Sequence, residues 1–83
     1  MAVRFHPHAL ERMAGRGATE DEVAAAVEQG EMLTAKFGRV AFRRNFTFNS
    51  ERRGRYFGTK QVEAYVVREG ADWLVLTVIT RFF

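Results

Sequence analysis

The stretch "HPHALERMAGRGATEDEVAAAVEQG", His6 to Gly30, decides the fold because it holds two sets of helix start and stop signals back to back. Pro7 suits the first position of a helix, where its missing N–H would have no partner anyway, so a first helix is expected from Pro7 to Arg16. Gly17 closes it, since glycine accepts the left-handed backbone with which helices commonly end. The second helix opens at Thr19: a Thr N-cap with Glu22 three residues on makes a capping box, and Glu20 and Asp21 complement the dipole of the first turn. Val23, Ala26 and Val27 give it a narrow apolar stripe, and Gly30 ends it. A link as short as Gly17-Ala18 folds the pair into a helical hairpin.

Outward from that hairpin the period is no longer helical. Val3-Arg4-Phe5 reads as a brief first strand. From Glu31 the pattern alternates: Val40, Phe42, Phe46 and Phe48 fall on one side, and Arg39, Ala41, Arg43, Asn45 and Thr47 on the other, with Arg44 the intruder on the apolar side. "NSERRGRYFG", Asn49 to Gly58, is punctuated by Asn, Ser and two Gly and reads as a turn or protruding hairpin tip. Lys60 to Arg68 and Trp73 to Phe83 read as two further strands joined at "EGAD". The last is apolar on both faces, which predicts a central strand covered on both sides. The expectation is an α+β fold of one domain, residues 1–83. Its helical hairpin packs on a mainly antiparallel sheet of three to five strands, and the other face or an edge is basic.

Composition bounds the function. A chain of 83 residues buries only somewhat over ~60% of its unfolded surface, so the margin of stability is thin. The sequence has no cysteine, which excludes a disulfide framework and thiolate metal sites, and two histidines make a poor zinc site. No metal and no cofactor are therefore expected, and a partner subunit, a homodimer among them, would help so small a core. No apolar run reaches the length of a membrane span, and "MAVRFHPH" lacks the apolar centre of a secretory signal; the expected location is the cytoplasm, away from membranes. The glycosylation sequon at Asn45-Phe46-Thr47 lies inside a strand-like run and is taken as chance.

Charge is segregated. Residues 1–35 hold three arginines against six acids, whereas residues 36–60 hold eight Lys and Arg against Glu51 alone. Neutralising phosphates and releasing their counterions is the main sequence-independent source of nucleic-acid affinity, and a segment this basic suits it. The alternatives are a solvated, Arg-rich sheet and a dock for an acidic protein. Arg16, Arg43, Arg52, Arg53 and Arg55 are the candidate nucleic-acid-binding residues. In "RRGRYFGTK", Tyr56 and Phe57 could stack bases beside guanidinium planes or simply anchor the loop.

Within the first helix, successive i to i+4 steps advance only about 40°, so His8, Arg12 and Arg16 form one stripe, with Leu10, Met13 and Ala14 expected to face the core. Periodicity alone describes an ordinary solvated face. Its composition points further, because guanidinium suits bidentate phosphate contact and imidazole can move protons near neutrality. His6 belongs to the helix start. Cleavage of RNA through its own 2′-OH needs a base, an acid and cations on the phosphorane. His8, Tyr65 and Lys60 are candidates for proton transfer, and Arg12, Arg43 and Arg81 for holding charge; the candidate catalytic set is His8, Arg12, Lys60 and Arg81.

The string "HPHALERMAGRG" with the following "TEDEV" is similar to the N-terminal signature of a family of small prokaryotic proteins, His-x-x-x-Arg-Met-x-x-Arg-Gly-Ile-x-x-x-x-Val. His8, Arg12, Met13, Arg16, Gly17 and Val23 match it, with Ala18 in place of Ile. The similarity extends through "TKQVEAYVV" and "VLTVITRFF". That family is grouped with RelE/ParE- and BrnT-like toxins, and the resemblance implies a RelE-like α+β fold, an antitoxin partner and, for the RelE branch, metal-free endoribonuclease activity on messenger RNA at the ribosome. ParE relatives instead poison DNA gyrase. RelE-like enzymes carry Arg and Lys on the sheet and a Tyr or His near the C-terminus. Here Arg81 matches the charged position but Phe82 and Phe83 follow it, so either His8 takes the proton-transfer role or this branch does not cleave RNA.

Overall fold

In a computed structural model, which describes residues 2–83, the chain forms β1 (Val3–Phe5), α1 (Pro7–Arg16), α2 (Glu20–Gln29), β2 (Glu31–Thr34), a single 3₁₀ turn (Lys36–Gly38), β3 (Val40–Arg52), β4 (Arg55–Glu69) and β5 (Asp72–Phe82). The five strands make one sheet in the order β1-β5-β4-β3-β2, antiparallel except for the β1–β5 pair. The α+β reading, with the N-terminal helices on a mainly antiparallel sheet, holds. No helix is long and apolar enough to cross a membrane.

The local signals act as their chemistry dictates. Thr19 Oγ1 accepts the Glu22 N–H at 3.1 Å while Glu22 Oε1 accepts the Thr19 N–H at 3.0 Å, closing the capping box. His6 caps α1, its Nδ1 accepting the His8 N–H at 3.0 Å. Gly17 ends α1 at φ 73.

Strand register sorts the sheet's two faces. Phe42, Ala64 and Val78 are cross-strand partners, as are Val40, Val66 and Val75, and these residues meet the helices. Val23, Val62, Val66, Val75 and Val78 are fully buried, and Phe42 meets the Trp73 ring edge-on at 5.4 Å. β-branched valines pack well on a pleated surface, which is why valine dominates this core. Arg44 sits at its margin, its Nη1 donating to Gln29 of α2.

Three local expectations are corrected or narrowed. Ala9 and Met13 are the buried residues of α1, whereas Leu10 is 41% exposed and Ala14 also faces solvent. The rotation of α1 is set by its C-terminal end: Arg16 Nη1 donates to the Val78 carbonyl at 2.6 Å and Thr80 Oγ1 donates to the Arg16 carbonyl at 2.7 Å. Of the two readings of Asn49 to Gly58, the hairpin tip holds and the wide turn does not: β3 and β4 run on to Arg52 and Arg55, and the reversal takes only Arg53 and Gly54, at φ 53 and 80. Two successive left-handed residues match the right-handed twist of the strands they join, so the hairpin stays paired to its tip. Asn49, at φ 43, instead marks a register shift between Thr47 and Ser50. Finally, β5 lies inside the sheet between β1 and β4, but it is not covered on both sides: its helix-free face leaves Leu74 and Ile79 half-buried, and β1 pairs with it only from Trp73 to Val75, beyond which α1 packs against it.

Candidate nucleic-acid interface

The outer edge of β5 beyond β1, the C-terminal half of α1 and the long β3–β4 arm enclose two grooves that meet at Arg16. The first, the arm groove, has walls of Arg16, Arg52, Arg53 and Arg55 and an apolar floor of Phe57, Ile79 and Phe82. Arg52 and Arg55 are cross-strand partners, so both fall on the groove side, while Glu51 and Tyr56 form the next pair and fall on the other. Three of these arginines are held by neutral groups. Arg52 Cζ stands 4.7 Å from the Phe82 ring centre and Arg55 Cζ 5.4 Å from that of Phe57, and Arg16 is tied to the Val78 carbonyl. Among the described residues no carboxylate lines this groove or pairs with these four side chains.

The second groove runs along α1, between His8, Arg12 and Arg16 on the helix, Arg39 before β3, and Leu76, Thr77 and Ile79 of β5. The stripe expected from periodicity is present, with Arg12 Nε donating to His8 Nε2 at 3.2 Å. That bond turns the imidazole along the helix, with Nε2 toward Arg12.

The other expected site residues stand apart. Lys60 is 6% exposed on the helix-covered face, with its Nζ 2.6 Å from Glu22 Oε1. Burial raises the Glu22 carboxyl, but the hydrogen bonds from Lys60 and the Thr19 N–H, with the Lys60 charge, outweigh it and hold Glu22 below its ordinary value. Arg81 lies on the helix-free face, 3.3 Å from Glu63 Oε2. Glu63 is buried and also accepts the Tyr65 hydroxyl; that bond, then burial and the carboxylate's charge, push the Tyr65 phenol up against the smaller opposing effect of Arg81. Arg43 is bound to Glu31 at 3.3 Å. His8, Arg12, Lys60 and Arg81 therefore do not converge: the first two share a groove, and the others are committed to carboxylates on opposite faces of the sheet.

Sequence reasoning did not single out Arg39 or Glu63. The eight cations against one acid in residues 36–60 flagged the region of Arg39, whereas nothing in the chain order marks Glu63, whose partners Tyr65 and Arg81 come from its own strand and the next. No family model, curated protein or solved structure matches the chain.

Proposed function

We propose that this protein binds RNA through the arm groove and the α1 groove, as the toxin-like member of a toxin–antitoxin pair. The observation that carries the reading is the arm groove: four guanidiniums without a carboxylate, over an aromatic floor. Guanidinium recognises phosphate bidentately, and rings beside it accept unpaired bases, so the groove matches the two chemical parts of a nucleotide. The toxin assignment adds the similarity of the α1 stripe, His8, Arg12 and Arg16, to the toxin-family signature, and brings an acidic antitoxin segment as the expected protein partner.

Metal-free cleavage in this reading rests on His8 and Arg12 alone. Once Arg12 turns from His8 Nε2 to the phosphorane, that nitrogen would take the 2′-OH proton and water would protonate the departing 5′-oxygen, since Lys60 and Arg81 already neutralise Glu22 and Glu63. The same pairing of Lys60 and Arg81 favours a second reading, a binding module without catalysis. Purified protein mixed with messenger RNA, with and without ribosomes, separates the two. Cleavage and growth arrest that vanish in His8→Ala while RNA is still retained support the nuclease, and retention without cleavage supports the binding module. Co-purification of an acidic peptide with no measurable RNA binding would leave only a protein dock.

A further inference from the structure

The arm groove is built for more negative charge than a nucleic-acid backbone brings to one place. Its volume, about 580 Å³, is that of a small-molecule site. An internal phosphodiester carries one charge per nucleotide, and successive phosphates are spread along the strand. Four guanidiniums around one groove, with no carboxylate among them, face a denser ligand.

Three of the four arginines are also fixed in advance. Arg52 is held over Phe82, and its Nη1 lies so close to Gly17 that a Cβ there would stand 2.6 Å away. Arg16 is anchored by its bond to the Val78 carbonyl, and Arg55 by Phe57. Cations held by rings and carbonyls keep their full charge for a ligand, whereas cations held by acids do not. The end of α1 offers little opposition to an anion: the Met13 carbonyl is capped by the Ala18 N–H at 3.1 Å, and the Arg16 carbonyl by Thr80. The floor supplies the apolar half of a nucleotide site, with the Phe57 and Phe82 rings 5.9 Å apart beside Ile79.

We propose that the arm groove binds a nucleoside 5′-polyphosphate, either as a free nucleotide or as the 5′ end of an RNA. The base stacks on Phe57 or on the Arg55 guanidinium above it, and the phosphate chain lies among Arg16, Arg52 and Arg53. The proposal uses the groove on which the RNA reading rests, yet the two fail separately.

The test is calorimetric titration of the full chain, free of divalent cations, with ATP, AMP and inorganic tripolyphosphate. ATP is expected to bind at least about tenfold more tightly than either of the others, since only ATP engages both halves of the groove. Arg55→Ala should weaken ATP about tenfold, since it removes the guanidinium plane beside the base together with a groove charge. Arg4→Ala removes the same charge from an exposed pair with Glu69 on β1 and should leave binding unchanged. Phe57→Leu should weaken ATP and leave tripolyphosphate alone, and Phe57→Tyr, which keeps the ring, should restore ATP; circular dichroism checks that each variant is folded.

Single-stranded RNA with a 5′-triphosphate, compared with the same oligomer bearing a 5′-hydroxyl, identifies the source. Tighter binding of the triphosphate assigns the site to an RNA end, and equal binding with ATP still bound assigns it to a free nucleotide. Equal affinity for AMP and ATP, tripolyphosphate matching ATP, or binding of polyglutamate but not ATP would overturn the proposal. RNA binding that depends on Arg55 but ignores both ATP and the 5′ end would overturn it while leaving the RNA reading standing; ATP binding without RNA binding would do the reverse.

Discussion

Lys60 and Glu22 show how one pair of residues can look like chemistry in a sequence and be architecture in the fold. Lys60 closes the sheet's covered face against α2, and the Glu22 carboxylate that receives it also completes the capping box. Removing either member of such a pair leaves the other uncompensated, but Glu22 would keep the Thr19 N–H and some solvent, whereas the Lys60 ammonium is almost wholly buried. Glu22→Gln is therefore expected to lower unfolding free energy by about 2 kcal/mol, less than for a fully buried pair because the carboxylate is partly solvated. Lys60→Met should cost less, about 1 kcal/mol, because the stranded carboxylate is the better solvated partner; urea unfolding measures both. The pair also sets a pH dependence. Because the folded-state pKa of Glu22 is depressed, its stabilisation is complete above the unfolded value of 4.5 and is lost as pH falls through the folded one. Wild type should lose stability below that point more steeply than Glu22→Gln. At the other extreme, Tyr65 is held above its ordinary value of 10.0, so its contribution is complete below that pH and fades in stronger alkali.

At the scale of elements, the β3–β4 arm and the end of α1 form one unit. Gly17 lies in the left-handed region and against Arg52, so Gly17→Ala meets two penalties. Strain at φ 73 costs about 1–2 kcal/mol, and the new Cβ must push the Arg52 guanidinium off Phe82. The variant should unfold earlier and bind RNA more weakly, a coupling that thermal unfolding and a binding titration reveal together. Arg53 presents the opposite trade. It occupies a left-handed position in a two-residue reversal that favours Asn before Gly, so Arg53→Asn should stabilise the hairpin by up to about 1 kcal/mol. It should weaken RNA binding, because a groove cation is lost. The sequence carried the elements clearly where the signal was local: Thr19, Glu22, Pro7 and Gly17 each act on backbone groups within a turn of themselves. It was ambiguous at Asn49 to Gly58, where the same turn-forming residues can end strands or bend them; cross-strand pairing made them a bulge and a tight reversal.

For the whole molecule, charge distribution is the functional quantity. Among the described residues the arm and α1 carry arginines with no carboxylate partner, while Arg43, Arg81 and Arg4 are paired with Glu31, Glu63 and Glu69. If the four arm-groove arginines each meet a phosphate, log K for single-stranded RNA should fall against log salt with a slope of about −3, and each arginine removed should lessen it by about 0.7. Arg43→Ala should change that slope little, since Arg43 is already bound to Glu31; binding titrations at several salt concentrations check both. By itself the sequence determined the two helices and their ends, the α+β class, the His8, Arg12 and Arg16 stripe and the basic middle segment, because each follows from spacing along the chain. Tertiary structure alone decided which way α1 turns, that Lys60 is buried, and which arginines remain free. Those outcomes depend on strand register and on the edge of β5 that α1 covers, which bring groups distant in the chain within hydrogen-bonding reach.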